Sequence, residues 1–309
     1  MVESLRSVDL KLTEYLNSTF VNRHSTFNTR RYSVGTTHPI AAKTDNYIIR
    51  RLGQLPLISR YVKTRGWPYL IAWAHRLTGV VLIFYVCLHV YTLSLLEMPY
   101  QFNVKMQIFS SPFLMFLEWL LAIPVIFHAL NGGRLILYES FGNREDDAVI
   151  KWLLCLSIVY VIFLGFLMVA GNQNVSALFF WLAMLTAALS LVYLVAHKIR
   201  HAAISWFWKL QRISGVFLLI MIPAHLIFMH LNPSVGHDAG VVIARMQSSF
   251  IKVVDVTLVL AVLFHGGYGL LSITKDYLNS RLLQRICAVV ICGVLAVLGW
   301  IGVRLVVVL

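Results

Sequence analysis

The chain has 309 residues, of which 59% are hydrophobic and 13% charged, and its mean hydropathy is +0.77. Soluble domains are about 45–50% apolar and about 25% charged, so this composition excludes disorder, a collagen-like chain and a disulfide scaffold, and it indicates a polytopic membrane protein. The net charge of +13 would suit nucleic acid, but the basic residues gather on one side of the apolar runs, which is the positive-inside pattern, so no nucleic-acid partner is expected.

Residues 1–66 hold 11 Lys and Arg against 4 Asp and Glu and no apolar h-region. They read as a basic cytoplasmic segment without a signal peptide, suited to docking on partner subunits or on an anionic inner leaflet. Seven apolar stretches then reach the length of about 20 residues that a span requires: 67–96, 112–138, 149–170, 175–196, 213–231, 253–274 and 286–308. With the N-terminus inside, segments 1–66, 134–151, 198–212 and 275–285 carry 21 of the 26 Lys and Arg, against four on the outer side. The expected fold is therefore an all-α, seven-transmembrane bundle with the N-terminus inside and the C-terminus outside. The turn at 171–174, Gly-Asn-Gln-Asn, suits a tight outer hairpin. Cys87, Cys155, Cys287 and Cys292 all lie in apolar stretches with no C-x-x-C spacing, so they read as buried thiols rather than as a disulfide framework, a zinc site or a c-type haem attachment.

The chain resembles itself at an offset of about 136 residues. Trp73-Ala74-His75-Arg76-Leu77-Thr78-Gly79 aligns with Lys209-Leu210-Gln211-Arg212-Ile213-Ser214-Gly215, and His89 with His225. After one residue of slippage, Phe127-His128 aligns with Phe264-His265 and Gly132 with Gly269. Two parallel three-helix repeats are expected, at 67–171 and 199–309, joined by a linker span at 172–198 that returns the chain to the inner side.

Four histidines fall within the spans: His89, His128, His225 and His265. Ionisable groups are costly in a bilayer and mark function by default. At a rise of about 1.5 Å per residue, His89 and His225 lie about 18 Å from the inner ends of their apolar stretches, and His128 and His265 about 9–15 Å from theirs. Two layers result, each with imidazoles from two helices, a donor set that fits bis-His b-type haem. Gly79, Gly132, Gly133, Gly215, Gly266, Gly267 and Gly269 give a flat ring room near the backbone, or serve close helix packing. Zinc is disfavoured, since no thiolate or carboxylate joins either pair.

These residues resemble the membrane-anchor cytochrome b of succinate:quinone oxidoreductase (complex II) and fumarate reductase. The first half resembles the C-type anchor through His75-Arg76-Leu77-Thr78-Gly79 and His128-x-x-x-Gly132-x-Arg134. The second half resembles the D-type anchor through His265-x-x-x-Gly269 and Asp276-Tyr277. The resemblance implies a fused C–D anchor of the two-haem kind, covering about 67–309. His128 and His265 would ligate the proximal haem b, and His89 and His225 the distal one.

The resemblance also implies that the FAD and iron–sulfur chemistry resides in a flavoprotein and an iron–sulfur subunit on the inner face, and that this subunit passes their electrons to menaquinone or ubiquinone. Arg76, Asp276 and Tyr277 match the family's proximal quinone site, although Ala72 stands where the family often has Ser. Glu118 is the candidate for a distal quinone site. Arg134 and Arg212 are candidate partners for proximal propionates, and Lys105 and Arg245 for distal ones. The implied location is the cytoplasmic membrane of a prokaryote. Two other readings stand beside this one: a haem b subunit of another quinol-oxidising complex, for which His75 and His89 would share a helix but Gln211 breaks the pattern, and a haem-free repeat transporter.

Overall fold

The computed structural model describes residues 67–141, 146–171, 175–231 and 234–309. The basic segment 1–66 and the centre of the expected hairpin, 172–174, lie outside the described residues. Every regular element among the described residues is helical. The α-helices in chain order are α1 (Trp67–Ser94), α2 (Pro99–Phe109), α3 (Pro112–Phe141), α4 (Asp146–Ala170), α5 (Ala177–Ile199), α6 (Trp206–Leu231), α7 (Ser234–His237), α8 (Ala239–Met246), α9 (Ser249–Tyr277) and α10 (Arg281–Val308), with a 3-10 turn at Leu95–Glu97 between the first two. Seven of these, α1, α3, α4, α5, α6, α9 and α10, are long and apolar enough to cross a membrane.

The helices overrun the apolar stretches at their charged ends. α6 begins at Trp206, and Trp208, Lys209 and Arg212 form its first turns. α10 begins at Arg281, where the Ser280 hydroxyl accepts a hydrogen bond from the Leu283 N–H. Interfacial Trp, Arg and Lys continue a helix past the hydrocarbon boundary, so hydropathy alone places these starts too late.

The outward surface is apolar, with Val169 89% and Trp300 70% exposed, as expected when lipid rather than water is the outer solvent. The largest core lies between α4, α5, α6 and α9, around Leu167, Trp181, Ala188, Met221, Phe228 and Val254. α5, read from sequence as a linker, is thus packed along α6. The cysteines are not the buried thiols expected: Cys292 is exposed on the outward face of α10, and Cys87 of α1, Cys155 of α4 and Cys287 of α10 are half-buried.

Two connections carry structure that hydropathy did not predict. α2 follows α1, and α7–α8 follow α6. They meet across the bundle end, where the Asn103 carboxamide oxygen accepts from the Ala239 N–H at 2.9 Å. Phe102, Met106, Ala239, Val242 and Met246 form an apolar cap there with Leu95, Leu96 and Val306.

Candidate functional site

One cavity of about 2350 Å³ runs through the bundle, lined by α1, α3, α6 and α9, with contributions from the end cap and α10. Ligand pockets are usually about 300–1,000 Å³, so this space suits more than one large cofactor. All four span histidines line it.

His128 of α3 faces His265 of α9 with ring centroids 6.2 Å apart and planes at 87°. His89 of α1 faces His225 of α6 at 6.1 Å and 85°. A metal–imidazole bond is about 2.0–2.1 Å and the ring centroid lies about 1.1 Å beyond it, so two trans imidazoles on one metal have centroids about 6.2–6.4 Å apart. Both pairs match that spacing. No group of three or more His, Cys, Asp and Glu capable of holding a metal occurs among the described residues. Two imidazoles with no third protein ligand suit a metal that arrives with its equatorial ligands already in place, as haem iron does.

The pairs occupy separate levels. Gly79 abuts the His128 ring and Gly215 the His265 ring, and His89 and His225 each follow those glycines by ten residues. Ten residues of helix span about 15 Å.

The His128 Nδ1–H donates to the His75 carbonyl at 3.1 Å, with the Thr78 hydroxyl 3.3 Å away. That bond selects the tautomer whose Nε2 lone pair is free to ligate. In the second half, the Ser214 hydroxyl lies 3.5 Å from His265 Nδ1, and the Gln211 amide donates to the His265 carbonyl at 3.1 Å. The contacts made by His75, Thr78 and Gly79 on His128 thus have counterparts in Gln211, Ser214 and Gly215 on His265. His75 stacks flat on His128, with centroids 3.9 Å apart.

Two of the seven glycines, Gly133 and Gly267, do not line the cavity. Gly267 packs against Leu295 of α10 and Gly133 meets Leu219, while Gly266 lines the cavity and meets Ile83. At Gly79 a Cβ would stand 3.0 Å from His128 Cε1, and at Gly215 3.1 Å from His265 Cε1. Gly79→Ala and Gly215→Ala are therefore expected to cost about 1–3 kcal/mol through overpacking. Gly293→Ala, where nothing lies within 4 Å, is the matched control. Thermal unfolding of the purified variants checks this. Equal midpoints for all three would show that the histidine rings yield freely.

At the N-terminal end of α1, the Arg76 Nη2 pairs with the Asp276 carboxylate at 3.1 Å. Its Nη1 donates to the Tyr277 hydroxyl at 3.3 Å. Arg76 and Asp276 line the cavity; Tyr277, 51% exposed, is outside the lining and reaches Arg76 from the surface. The three residues expected to act together do lie together. Arg134 is 5% exposed and stacks over the Tyr138 ring. Arg212 forms a bidentate pair with Glu139 and stacks over Trp208 at 4.8 Å. Any propionate reaching Arg212 therefore meets a guanidinium already held by a carboxylate.

Glu139 was not singled out from sequence. It precedes Asp276 by 137 residues, the displacement that relates His128 to His265. Extending the repeat alignment by eleven residues would have found it. The two ion pairs are reciprocal, Arg76 of α1 with Asp276 of α9 and Arg212 of α6 with Glu139 of α3.

At the opposite end, Glu118 lies 3.5 Å from His230 Nε2, whose Nδ1 bonds to the Leu226 carbonyl. His237, Arg245 and Asp255 line the cavity beside them. Burial lowers the pKa of the Arg245 guanidinium from its usual value, and the Asp255 carboxylate opposes that shift. Asp255 follows Glu118 by 137 residues, the same displacement that relates His128 to His265, so the repeat relates these two carboxylates; His230, whose counterpart at an offset of 136 is Ser94, carries no such signal. Lys105 is exposed on α2. Glu97 pairs with Arg304 at 2.9 Å, away from the cavity.

Residues 68–166, which run from α1 into α4, match the family of succinate dehydrogenase/fumarate reductase transmembrane subunits. The chain is also 32% identical over 111 residues to the succinate dehydrogenase 2 membrane subunit SdhC of Mycobacterium tuberculosis. That stretch is 35% of this chain and 77% of the relative. The chain belongs to this family. No solved structure matches it. It is an integral membrane subunit of the succinate dehydrogenase/fumarate reductase kind, and the family match falls on the helices that carry His75, Arg76, His89 and His128.

Proposed function

We propose that the chain is the two-haem membrane anchor of a succinate:quinone oxidoreductase, with C-type and D-type halves fused through α5. It passes electrons between an iron–sulfur subunit and a membrane quinone. The observation that carries this reading is the pair of opposed imidazole couples at trans-ligand spacing, about 15 Å apart along α1 and α6. His128 and His265 would hold the proximal haem b, and His89 and His225 the distal one. Haem held in this way supplies reversible one-electron transfer.

The chain's own residues supply the rest. His75, Thr78 and Ser214 orient the proximal imidazoles. Arg76, Asp276 and Tyr277 form a quinone site at the inner end: the guanidinium stabilises charge developing on a quinone oxygen, the Tyr277 hydroxyl can donate to a carbonyl, and the Asp276 carboxylate keeps Arg76 in place. Glu118 with His230 forms the candidate distal site, where a carboxylate facing an imidazole can take up or release a quinol proton. The distribution of Lys and Arg supports an inner N-terminus. The flavoprotein and iron–sulfur subunits would then dock on the Arg76 end, on the cytoplasmic side of a prokaryotic membrane.

A reduced-minus-oxidised spectrum with pyridine haemochrome quantitation tests this. Two b haems per chain are expected. One haem would remove the distal half of the proposal, and no haem in a folded preparation would overturn the two-haem reading and leave a haem-free membrane subunit of the same family.

A further inference from the structure

α4 and α5 contribute no residue to the cavity lining. They lie behind α3 and α6, where a role limited to chain routing would leave loose, lipid-like packing. They instead share the largest apolar core among the described residues, and Trp181 stands within it. Trp181 of α5 is 3% exposed. Its ring lies 6.3 Å from the His225 ring and 5.3 Å from Phe228. Phe180 meets Trp181 edge to face at 5.4 Å and Phe228 at a tilt at 5.1 Å. From α4, the Tyr160 hydroxyl donates to the Pro223 carbonyl at 2.5 Å, two residues before His225.

His225 needs such support. A ligating histidine is ordinarily oriented by a hydrogen bond to its second nitrogen. His128 has that bond, through the His75 carbonyl. Among the described residues no hydrogen bond reaches either ring nitrogen of His225; its contacts are the rings of His89 and Trp181. Pro223 also removes a backbone donor from α6 next to the histidine, which loosens the helix at that turn. Ring orientation is thus left to the tilted contact with the Trp181 ring, and backbone position to the Tyr160 bond. His89 differs, because its other ring contact is Tyr85 on its own helix.

We propose that Trp181 and Tyr160 are positioning residues for His225, so that the two spans outside the cavity set the orientation of the distal axial ligand. The proposal rests on the two-haem reading above. Its test uses the purified complex, with the parent first shown to hold two haems; a parent without the distal haem would defeat that reading rather than this one. Trp181→Leu removes the ring face, Trp181→Phe keeps an aromatic face, and Tyr160→Phe deletes a single hydroxyl and guards against failure of the first variant to assemble.

The expected result is a shift in the low-field electron paramagnetic resonance feature and the redox midpoint of one haem only. The shift should be largest for Trp181→Leu and smaller for Tyr160→Phe, with Trp181→Phe close to the parent, while the other haem keeps both values. Parental signals in Trp181→Leu and Tyr160→Phe would overturn the proposal. So would equal shifts of both haems, which would indicate general loosening of the bundle.

Discussion

Replacing His128 or His265 by Ala is expected to halve the haem content of the purified complex, from two per chain to one, and replacing His89 or His225 is expected to remove the other haem. The argument is geometric. Among the described residues each couple supplies the two imidazoles that face each other about 6 Å apart at its level, and a haem held between them would lose one of its two protein ligands and much of its hold on the protein. The levels are about 15 Å apart along α1 and α6, beyond the range of about 7–10 Å within which mutational effects couple. Losses should therefore be separable: His128→Ala with His265→Ala resembles either alone, whereas His128→Ala with His225→Ala empties both levels. Haemochrome quantitation decides the outcome. Retention of both haems in His265→Ala would sink the ligand assignment.

The span histidines were legible because the repeat put four scarce polar residues at matching positions in an apolar sequence. Depth arithmetic then sorted them into the two couples that the helices bring face to face. Arg76, Asp276 and Tyr277 were legible through their family pattern, although they are about 200 residues apart in the chain. Glu139 and Asp255 were within reach of the repeat, since they stand 137 residues from Asp276 and Glu118, but they lie beyond the stretch from the histidines to Gly269 that the alignment covered. His230 gains meaning only from Glu118 on the facing helix, about which hydropathy carries no information. Trp181 escaped for the converse reason: in an apolar span an aromatic residue is the expected filler, and nothing in its neighbourhood in the chain marks contact with His225. The short helices α2 and α8 were missed because 8–11 residues with mixed polarity make no span signal, while the cap they form across the bundle end is a long-range contact.

Arg76→Ala is expected to lower quinone turnover by about 10²-fold in kcat/KM, the scale of losing a charged donor aimed at a developing oxyanion. Haem content should be unchanged, as should electron transfer from succinate to a soluble dye accepted at the partner subunits. The loss has two parts. The guanidinium no longer faces the quinone, and the Asp276 carboxylate, 3.1 Å from Arg76 Nη2, is left without its cation at the membrane edge. Arg76→Lys separates the two. Lys restores the charge but cannot reach both Asp276 and the Tyr277 hydroxyl with one planar fork, so partial recovery is expected. Tyr277→Phe removes a single neutral hydrogen bond and should cost about tenfold or less. Glu118→Gln at the opposite end supplies the contrast, since it keeps the shape of the side chain facing His230 but withdraws the carboxylate. If Arg76→Ala leaves turnover within about threefold of the parent while Glu118→Gln suppresses it, the working quinone site lies at the capped end, beside His89 and His225. The Arg76–Asp276 pair, like its counterpart Arg212–Glu139, would then serve to tie the helices together.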